Sequence, residues 1–559
     1  MKLSGAQMVL ACLEAENVEV VFGFPGGAVL TLYDELFKKG VKHILTRHEQ
    51  GAIHAADGYA RATGKTGVVI ATSGPGATNL VTGLATAYMD SIPLVAITGQ
   101  VATPFIGTDA FQEADITGIT LPITKHNYLV KDIHEFPRIL KEAFHLAGTG
   151  RKGPVLLDLP KDLQVEEGEF DYPQEVDISS YKPTYEGHSG QIMRAAAAIK
   201  KAYQPVLYAG GGVISSGAHA ELLALSQKGA IPVTTTLTGL GGVPTDYDLF
   251  LGMLGMHGTY AANNAVHHAD LLIAIGARFD DRVTGKIDTF ASGARIIHID
   301  IDPAEIGKNV LADIPIVGDV KLVLQEILKR LQPGDTQEWC DRVLRWKKDY
   351  PLFYRQKDDH CLKPQFVIEE LYRLTGGEAI VTTDVGQHQM WAAHYYRARE
   401  PRTFISSGGL GTMGFGFPAA IGAQVAFPDK TVFCIAGDGS FQMNSQELAT
   451  AVHYNLPVKV MIINNHYLGM VRQWQEFFYE SRYSQTSLEG SPDFIRLAEA
   501  YGARGLRATS VEEVAPAIKT ALQIPGPVVI DFHVDPAENV LPMVVPNTSL
   551  VEMIGGREE

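Results

Sequence analysis

A chain of 559 residues, 46% of them hydrophobic and 20% charged, has material for about three or four domains and the makeup of an ordinary globular protein. Its net charge of −16, with no basic run, argues against a nucleic-acid partner and an anionic membrane surface. The four scattered cysteines (Cys12, Cys340, Cys361, Cys434) lack metal-type spacing and suit a reducing, cytoplasmic setting, with Cys12 and Cys434 read as core thiols. The N-terminus leads directly into an amphipathic helix, with no signal-peptide or transit-peptide pattern and no apolar run of membrane-spanning length.

From residue 4 to about 163, short strands alternate with helices. Strands are predicted at 18–22, 41–45, 68–71 and 94–98, the last closing the set. The first is followed by the turn Gly23-Phe24-Pro25-Gly26-Gly27, and the second by Thr46-Arg47-His48-Glu49-Gln50 and a small-residue helix over 52–63. Ser73-Gly74-Pro75-Gly76 opens the next helix. Such alternation predicts a parallel sheet with helices on both faces.

Residues 165–190 are polar, acidic and proline-containing, and read as a linker. A second unit begins near Pro205, with a strand over 206–209 and the turn Gly210-Gly211-Gly212. A strand over 271–275 leads into Gly276-Ala277-Arg278-Phe279-Asp280-Asp281-Arg282, and one over 296–299 into Asp300-Ile301-Asp302-Pro303. An acid at a strand end is the usual ribose partner in nucleotide-binding sheets, although solvated ion pairs account for these loops equally. Residues 333–364 read as a connector with helical character, 365–534 as a third unit, and 535–559 as a packed extension.

The third unit carries the most informative stretch. A buried strand over 431–435 leads into Gly437-Asp438-Gly439-Ser440, a helix over 444–454 follows, and a second buried strand over 458–463 ends at Asn464-Asn465. The two glycines suggest a sharp turn and close approach of a ligand to the backbone. Asp438 and Asn465 then stand at the C-terminal ends of two strands, where open α/β sheets bind ligands. A carboxylate and an amide oxygen are hard ligands suited to Mg²⁺, which keeps few protein ligands and completes its shell with water and phosphate. An internal echo supports two similar domains: Leu84-Ala85-Thr86-Ala87 with Pro93 recurs as Leu448-Ala449-Thr450-Ala451 with Pro457.

Gly-Asp-Gly, a helix-length gap and Asn-Asn after a second strand together resemble the signature of thiamine diphosphate enzymes. The resemblance implies Mg²⁺ held by Asp438, Asn465 and the carbonyl of Tyr467. It also implies cofactor contacts from Gly26, Gln387, His388, Met413, Gly437, Gly439 and Ser440. Arg47-His48-Glu49-Gln50-Gly51-Ala52 looks like the family's thiamine-activating segment, in which Glu49 hydrogen-bonds the aminopyrimidine and promotes loss of the thiazolium C2 proton. In that family this glutamate and the metal site come from different subunits, which implies a homodimer or tetramer with active sites at the interface.

Gly107-Thr108-Asp109-Ala110-Phe111-Gln112-Glu113, the Arg278–Arg282 run and Gly469-Met470-Val471-Arg472-Gln473-Trp474 narrow the resemblance to acetohydroxyacid (acetolactate) synthases, catalytic large subunit. Three doubly wound parallel-sheet α/β domains are implied: pyrimidine-binding (1–164), central FAD-binding (190–333) and diphosphate-binding (365–534), with the tail 535–559. That family decarboxylates pyruvate and joins the two-carbon unit to a second pyruvate or to 2-oxobutyrate, giving 2-acetolactate or 2-aceto-2-hydroxybutyrate for branched-chain amino-acid synthesis. The resemblance places Gln112 and Lys161 at the reaction site, Met413 beneath the thiazolium, Phe111 at the substrate, and Arg278 at the second substrate's carboxylate. Trp474 would favour the extra methyl of 2-oxobutyrate, a preference bounded at about 1–3 kcal/mol. FAD, not required for redox chemistry in the family, would meet Arg151, His257 and the following segment to Arg278, and Asp300 to Asp319. A small regulatory subunit is implied as partner. A catabolic acetolactate synthase, a pyruvate oxidase and a catalytically silent nucleotide-binding regulator are the alternatives.

Overall fold

Runs of aliphatic and β-branched residues too short for helices, such as Val432–Gly437, Lys459–Asn464 and Leu271–Ile275, are buried along their whole length and form strands in the computed structural model. The model describes residues 2–357 and 361–555. Three six-stranded sheets result, each parallel between all neighbouring strands. The N-terminal sheet runs, edge to edge, His43–Leu45, Val21–Phe24, Gly67–Ala71, Leu94–Gln100, Pro154–Pro160, His126–Leu129. The C-terminal sheet runs Phe404–Ser406, Ile380–Thr383, Val432–Gly437, Lys459–Asn464, Val528–His533, Arg504–Ala508. Numbered within its own domain, each has strand order 2-1-3-4-6-5, so the sequence echo reflects a shared topology. The central sheet differs. Its order is 3-2-1-4-5-6, with Pro205–Ala209 beside Leu271–Ile275 at the reversal, the position where doubly wound sheets open a ligand crevice.

The N-terminal sheet does not close at the strand beginning with Leu94. His126–Leu129 and Pro154–Pro160 extend it. The first is a partly exposed edge strand with little apolar signal, and the second begins and ends with proline, which hides a strand from pattern reading although proline is tolerated at a strand's first residue. The acidic segment after residue 165 is not a free linker. Glu167–Glu169 pairs antiparallel with Lys2–Ser4, and Phe170, Tyr172, Ile178 and Tyr181 pack on the N-terminal core.

The N- and C-terminal domains share one hydrophobic core, in which Ile53 and Ala56 join Phe417, Ala420 and Ile462. Its centre is the crossing of the helices Glu49–Thr63 and Gly416–Ala426, both rich in alanine and glycine. A side chain on Gly422 would strike the Ala55 carbonyl, and one on Gly58 would strike that of Ala419. Small residues here let the two backbones touch. The tail packs between the central and C-terminal domains: Val544 N–H donates to Met256 O at 2.7 Å, and Val540 N–H to Gln473 Oε1 at 2.8 Å. Among the described residues, no helix is long and apolar enough to cross a membrane.

Candidate active site

Val432–Gly437 and Lys459–Asn464 are adjacent parallel strands, so Asp438 and Asn465, each one residue beyond its strand, emerge side by side. Side-chain alternation separates the two asparagines. Asn464 donates to Asp531 Oδ1 at 2.9 Å within the sheet. Asn465 turns to the ligand edge, donating to Gln387 Oε1 at 3.1 Å and accepting from Tyr467 N–H at 3.1 Å. Gln387 also donates to Gln473 Oε1 and to the Glu538 carbonyl.

Gly437 and Gly439 serve packing rather than a sharp turn. Gly437 has ordinary extended backbone (φ −86°, ψ 159°), and a Cβ there would lie 2.8 Å from the His388 ring. A Cβ on Gly439 would meet Leu468 and Leu488 at 2.9 and 3.0 Å, with Met413 Cε at 3.9 Å. The helix expected over 444–454 is broken into Asp438–Gln442, a 3₁₀ turn at Ser445–Glu447, and Leu448–His453. Asn444 interrupts it with non-helical backbone and donates to the Gly414 carbonyl at 2.7 Å, which fastens the loop carrying Met413.

Burial pushes the Asp438 carboxyl up to about 7, and its Oδ2 has no hydrogen-bond partner. Burial also holds the His388 imidazole neutral, down to about 3, with Nε2 unpartnered. Ser440 donates to the Val385 carbonyl at 3.1 Å. An orphaned buried carboxylate oxygen is costly and calls for a cation. With the Asn465 amide oxygen and the Tyr467 carbonyl, which takes no hydrogen bond among the described residues, it forms an oxygen donor set with a single carboxylate. No group of three or more His, Cys, Asp or Glu among the described residues could hold a metal by itself. The donor set therefore fits Mg²⁺ completed by water and phosphate.

At the N-terminal sheet's edge, Glu49 begins the helix Glu49–Thr63 just after the strand His43–Leu45. It is buried, and Asn79 Nδ2 donates to its Oε2 at 2.9 Å. A Cβ on Gly76 would approach its Oε1 to 3.2 Å, and a Cβ on Gly26 would meet Thr72 at 2.5 Å, so glycines keep the space around the carboxylate open. Gln112, in left-handed backbone (φ 59°), packs on Gly74 in the same loop cluster. Lys161 starts the short helix after Pro154–Pro160 and is exposed, and Phe111 is 88% exposed. Among the described residues, the hydrogen bonds of Glu49 do not reach the Asp438–Asn465 cluster of the same chain.

In the central domain, Gly210 and Gly212 press against Gly276 at the strand-order reversal, where a Cβ on Gly212 would meet the Gly276 Cα at 2.6 Å. Arg151 pairs with Asp302 and Glu305 at 3.1 and 2.7 Å. Burial raises Asp300 to about 6, and its Oδ1 accepts from Asp302 N–H. Asp319 caps the helix Val320–Arg330. This glycine-lined crevice with acids at its strand ends fits a dinucleotide. His257 is buried beside His394 and the Pro542 carbonyl, and burial lowers it to about 3. Trp474 is half-buried on the helix Gly469–Phe478, with the Arg282 guanidinium 5.8 Å from its ring, so it is not a plain core aromatic.

Models of thiamine pyrophosphate enzymes match all three regions: the N-terminal TPP binding domain over residues 3–119, the central domain over 192–327 and the C-terminal TPP binding domain over 384–532. An acetolactate synthase from Mycobacterium leprae is 54% identical over 568 aligned positions, covering 100% of this chain and 91% of the relative. The chain belongs to the acetolactate synthase large-subunit family. The Corynebacterium glutamicum large subunit is 53% identical over 98% of this chain and 89% of its own length, and that of Haemophilus influenzae 49% identical over 99% and 98%. The chain is accordingly a thiamine pyrophosphate enzyme with three parallel-sheet α/β domains.

Sequence reasoning missed three side chains that support the site. Asp384, just past the strand Ile380–Thr383, is fully buried and accepts from Gly414 N–H at 2.7 Å; an acid at a strand end, the signal that marked Asp438, could have found it. Glu447 reaches from the C-terminal domain to Arg47 N–H, with both oxygens at 3.0 and 3.1 Å, two residues before Glu49. Asn79, the partner of Glu49, carries no sequence signal.

Proposed function

We propose that this protein is an acetolactate synthase. It decarboxylates pyruvate and joins the two-carbon unit to a second pyruvate or to 2-oxobutyrate, giving 2-acetolactate or 2-aceto-2-hydroxybutyrate, the entry to branched-chain amino acids. The observation that carries the reading is the pairing of Asp438, with its unsatisfied buried oxygen, and Asn465 on adjacent strand ends, in a chain about half identical to acetolactate synthases along its length. Thiamine diphosphate, when bound, supplies a carbon acid that adds to a 2-oxo acid and takes up the electron pair released with CO₂.

The chain's own residues do the rest. Asp438, Asn465 and the Tyr467 carbonyl would hold Mg²⁺ for the diphosphate, which Gln387, His388, Gly437, Gly439 and Ser440 would surround. Glu49 of a neighbouring copy, with Gly26 in the same loop cluster, would hold a proton toward the aminopyrimidine nitrogen, an arrangement that needs a homodimer or a tetramer. Met413 would support the cofactor's thiazolium ring. Gln112 and Lys161 donate hydrogen bonds at the reacting carbonyl, and Phe111 shields it from water. Arg278 receives the carboxylate of the second 2-oxo acid, and Trp474 offers an apolar wall to its methyl. FAD, without a redox role, would be held in the central crevice by Arg151, His257, Asp300 and Asp319. A small regulatory subunit is the expected protein partner, and a cytoplasmic location suits the chemistry.

The test is an anaerobic carboligation assay with pyruvate alone and with 2-oxobutyrate, omitting thiamine diphosphate, Mg²⁺ and FAD in turn. Acetolactate should form without an electron acceptor. Absence of product with all three present, or a strict need for an oxidant, refutes the reading.

A further inference from the structure

Arg278 leaves the central domain just past the strand Leu271–Ile275 with a half-buried guanidinium that has no ion-pair partner among the described residues. The Asp280 carboxylate lies within electrostatic reach of it, and backbone also faces the guanidinium: a Cβ on Gly409 would lie 3.0 Å from Arg278 Nη2. That stretch of backbone belongs to a loop leading to Met413, and the N-terminal domain holds it. Asp90, at the end of the helix Val81–Asp90, accepts from Gly408 N–H at 3.0 Å and from Gly409 N–H at 2.7 Å. One turn earlier on the same helix, Thr86 bonds the Thr412 hydroxyl at 2.6 Å.

Asp90 does not stand alone. It pairs with Arg61 at 2.8 Å, and Arg61 pairs with Asp57 at 2.5 Å and donates to the Ser406 carbonyl at 2.9 Å. All three charged side chains are buried. Two carboxylates share one guanidinium, and burial together with the neighbouring Asp90 charge pushes the Asp57 carboxyl up, while Asp90 keeps its pairing with Arg61. The place a Gly409 Cβ would take is 2.9 Å from Asp90 Oδ1, so Asp90 and Arg278 lie within about 6 Å of each other, close enough to attract through the protein. A side chain at position 409 would intrude on both.

We infer that Asp90 is a positioning residue for Arg278: through the Gly408–Gly409 backbone and its own charge it fixes where the guanidinium waits, and so sets recognition of the second 2-oxo acid. The inference rests on the reading of Arg278 as the carboxylate receptor. It gives a helix of the N-terminal domain a share in a specificity assigned to the other two domains.

The test compares Asp90→Asn, Gly409→Ala and Arg278→Gln in the full-length enzyme loaded with thiamine diphosphate, Mg²⁺ and FAD. The readouts are KM for 2-oxobutyrate at saturating pyruvate, the partition of consumed pyruvate between carboligation products and acetaldehyde, cofactor affinity by fluorescence titration, and thermal melting. Asp90→Asn and Gly409→Ala should each raise that KM about tenfold and shift products toward acetaldehyde, with pyruvate consumption and cofactor affinity within about twofold; Arg278→Gln should raise the KM and shift the products further than either. Should Asp90→Asn fail to fold, Gly409→Ala carries the test alone. The inference is overturned on its own if Arg278→Gln shifts KM and partition while the other two leave them at wild type, or merely lower every rate in parallel with melting temperature. If Arg278→Gln leaves the second-substrate KM unchanged, the reading of Arg278 falls and the inference falls with it.

Discussion

The N- and C-terminal domains are built on one strand order, yet their ligand edges carry opposite arrangements of acid. At the C-terminal edge, Asp438 and Asp384 are buried with an oxygen unsatisfied, and burial pushes both carboxyls up to about 7. At the N-terminal edge, Glu49 already has a neutral amide donor from Asn79 and glycine-lined space beside it. The first arrangement suits a permanent cation, and the second suits a carboxyl that must exchange a proton. Shared topology supplies two similar platforms, and the residues in the loops just beyond the strands decide what each does.

Four experiments press on that contrast. Asp438→Ala should abolish Mg²⁺-dependent thiamine diphosphate binding in calorimetric titration and reduce turnover by about a thousandfold or more. Glu49→Gln should lower turnover by about 10²–10⁴-fold while leaving cofactor affinity within a few-fold; equal loss of binding in both variants would erase the distinction between the edges. Gly422→Ala tests how the platforms are joined. Its methyl would be forced onto the Ala55 carbonyl, so a loss of about 1–3 kcal/mol in chemical denaturation is expected, and a neutral result would mean that the helix crossing is loose.

The smallest effect concerns pH. Burial raises the Glu447 carboxyl to about 7, above an ordinary Glu near about 4.3. The folded state therefore binds this proton more tightly than the unfolded chain does, and the associated stability is present at low pH and lost as pH rises through about 7. Between pH 6 and 8.5 the melting temperature of Glu447→Gln should gain on wild type by about 1 °C; a gap independent of pH would contradict the assignment.

Much of this was legible in the sequence where a local pattern had a local cause. Buried strands announced themselves as short aliphatic runs, and the strand ends followed from them, so Asp438 and Asn465 could be placed without coordinates, while Glu49 was singled out by the resemblance. The resemblance rested on the same segments. Pattern reading failed where the cause was not local. The strand Pro154–Pro160 owes its place to two neighbours and carries prolines that hid it. The helix expected over 444–454 breaks because Asn444 is needed by Gly414, thirty residues away.

The sequence by itself determined three parallel-sheet units, the place of Asp438 and Asn465 at the ends of two strands, and the family, because those depend on residue type and spacing along one strand or one turn. Only the tertiary structure decided that glycines 437 and 439 make room for His388 and Leu468, that Glu447 reaches the backbone beside Glu49, and that Asp90 holds the loop facing Arg278. Those contacts join segments from tens to hundreds of residues apart, and no periodicity along a chain encodes which distant backbone will come to lie against a given side chain.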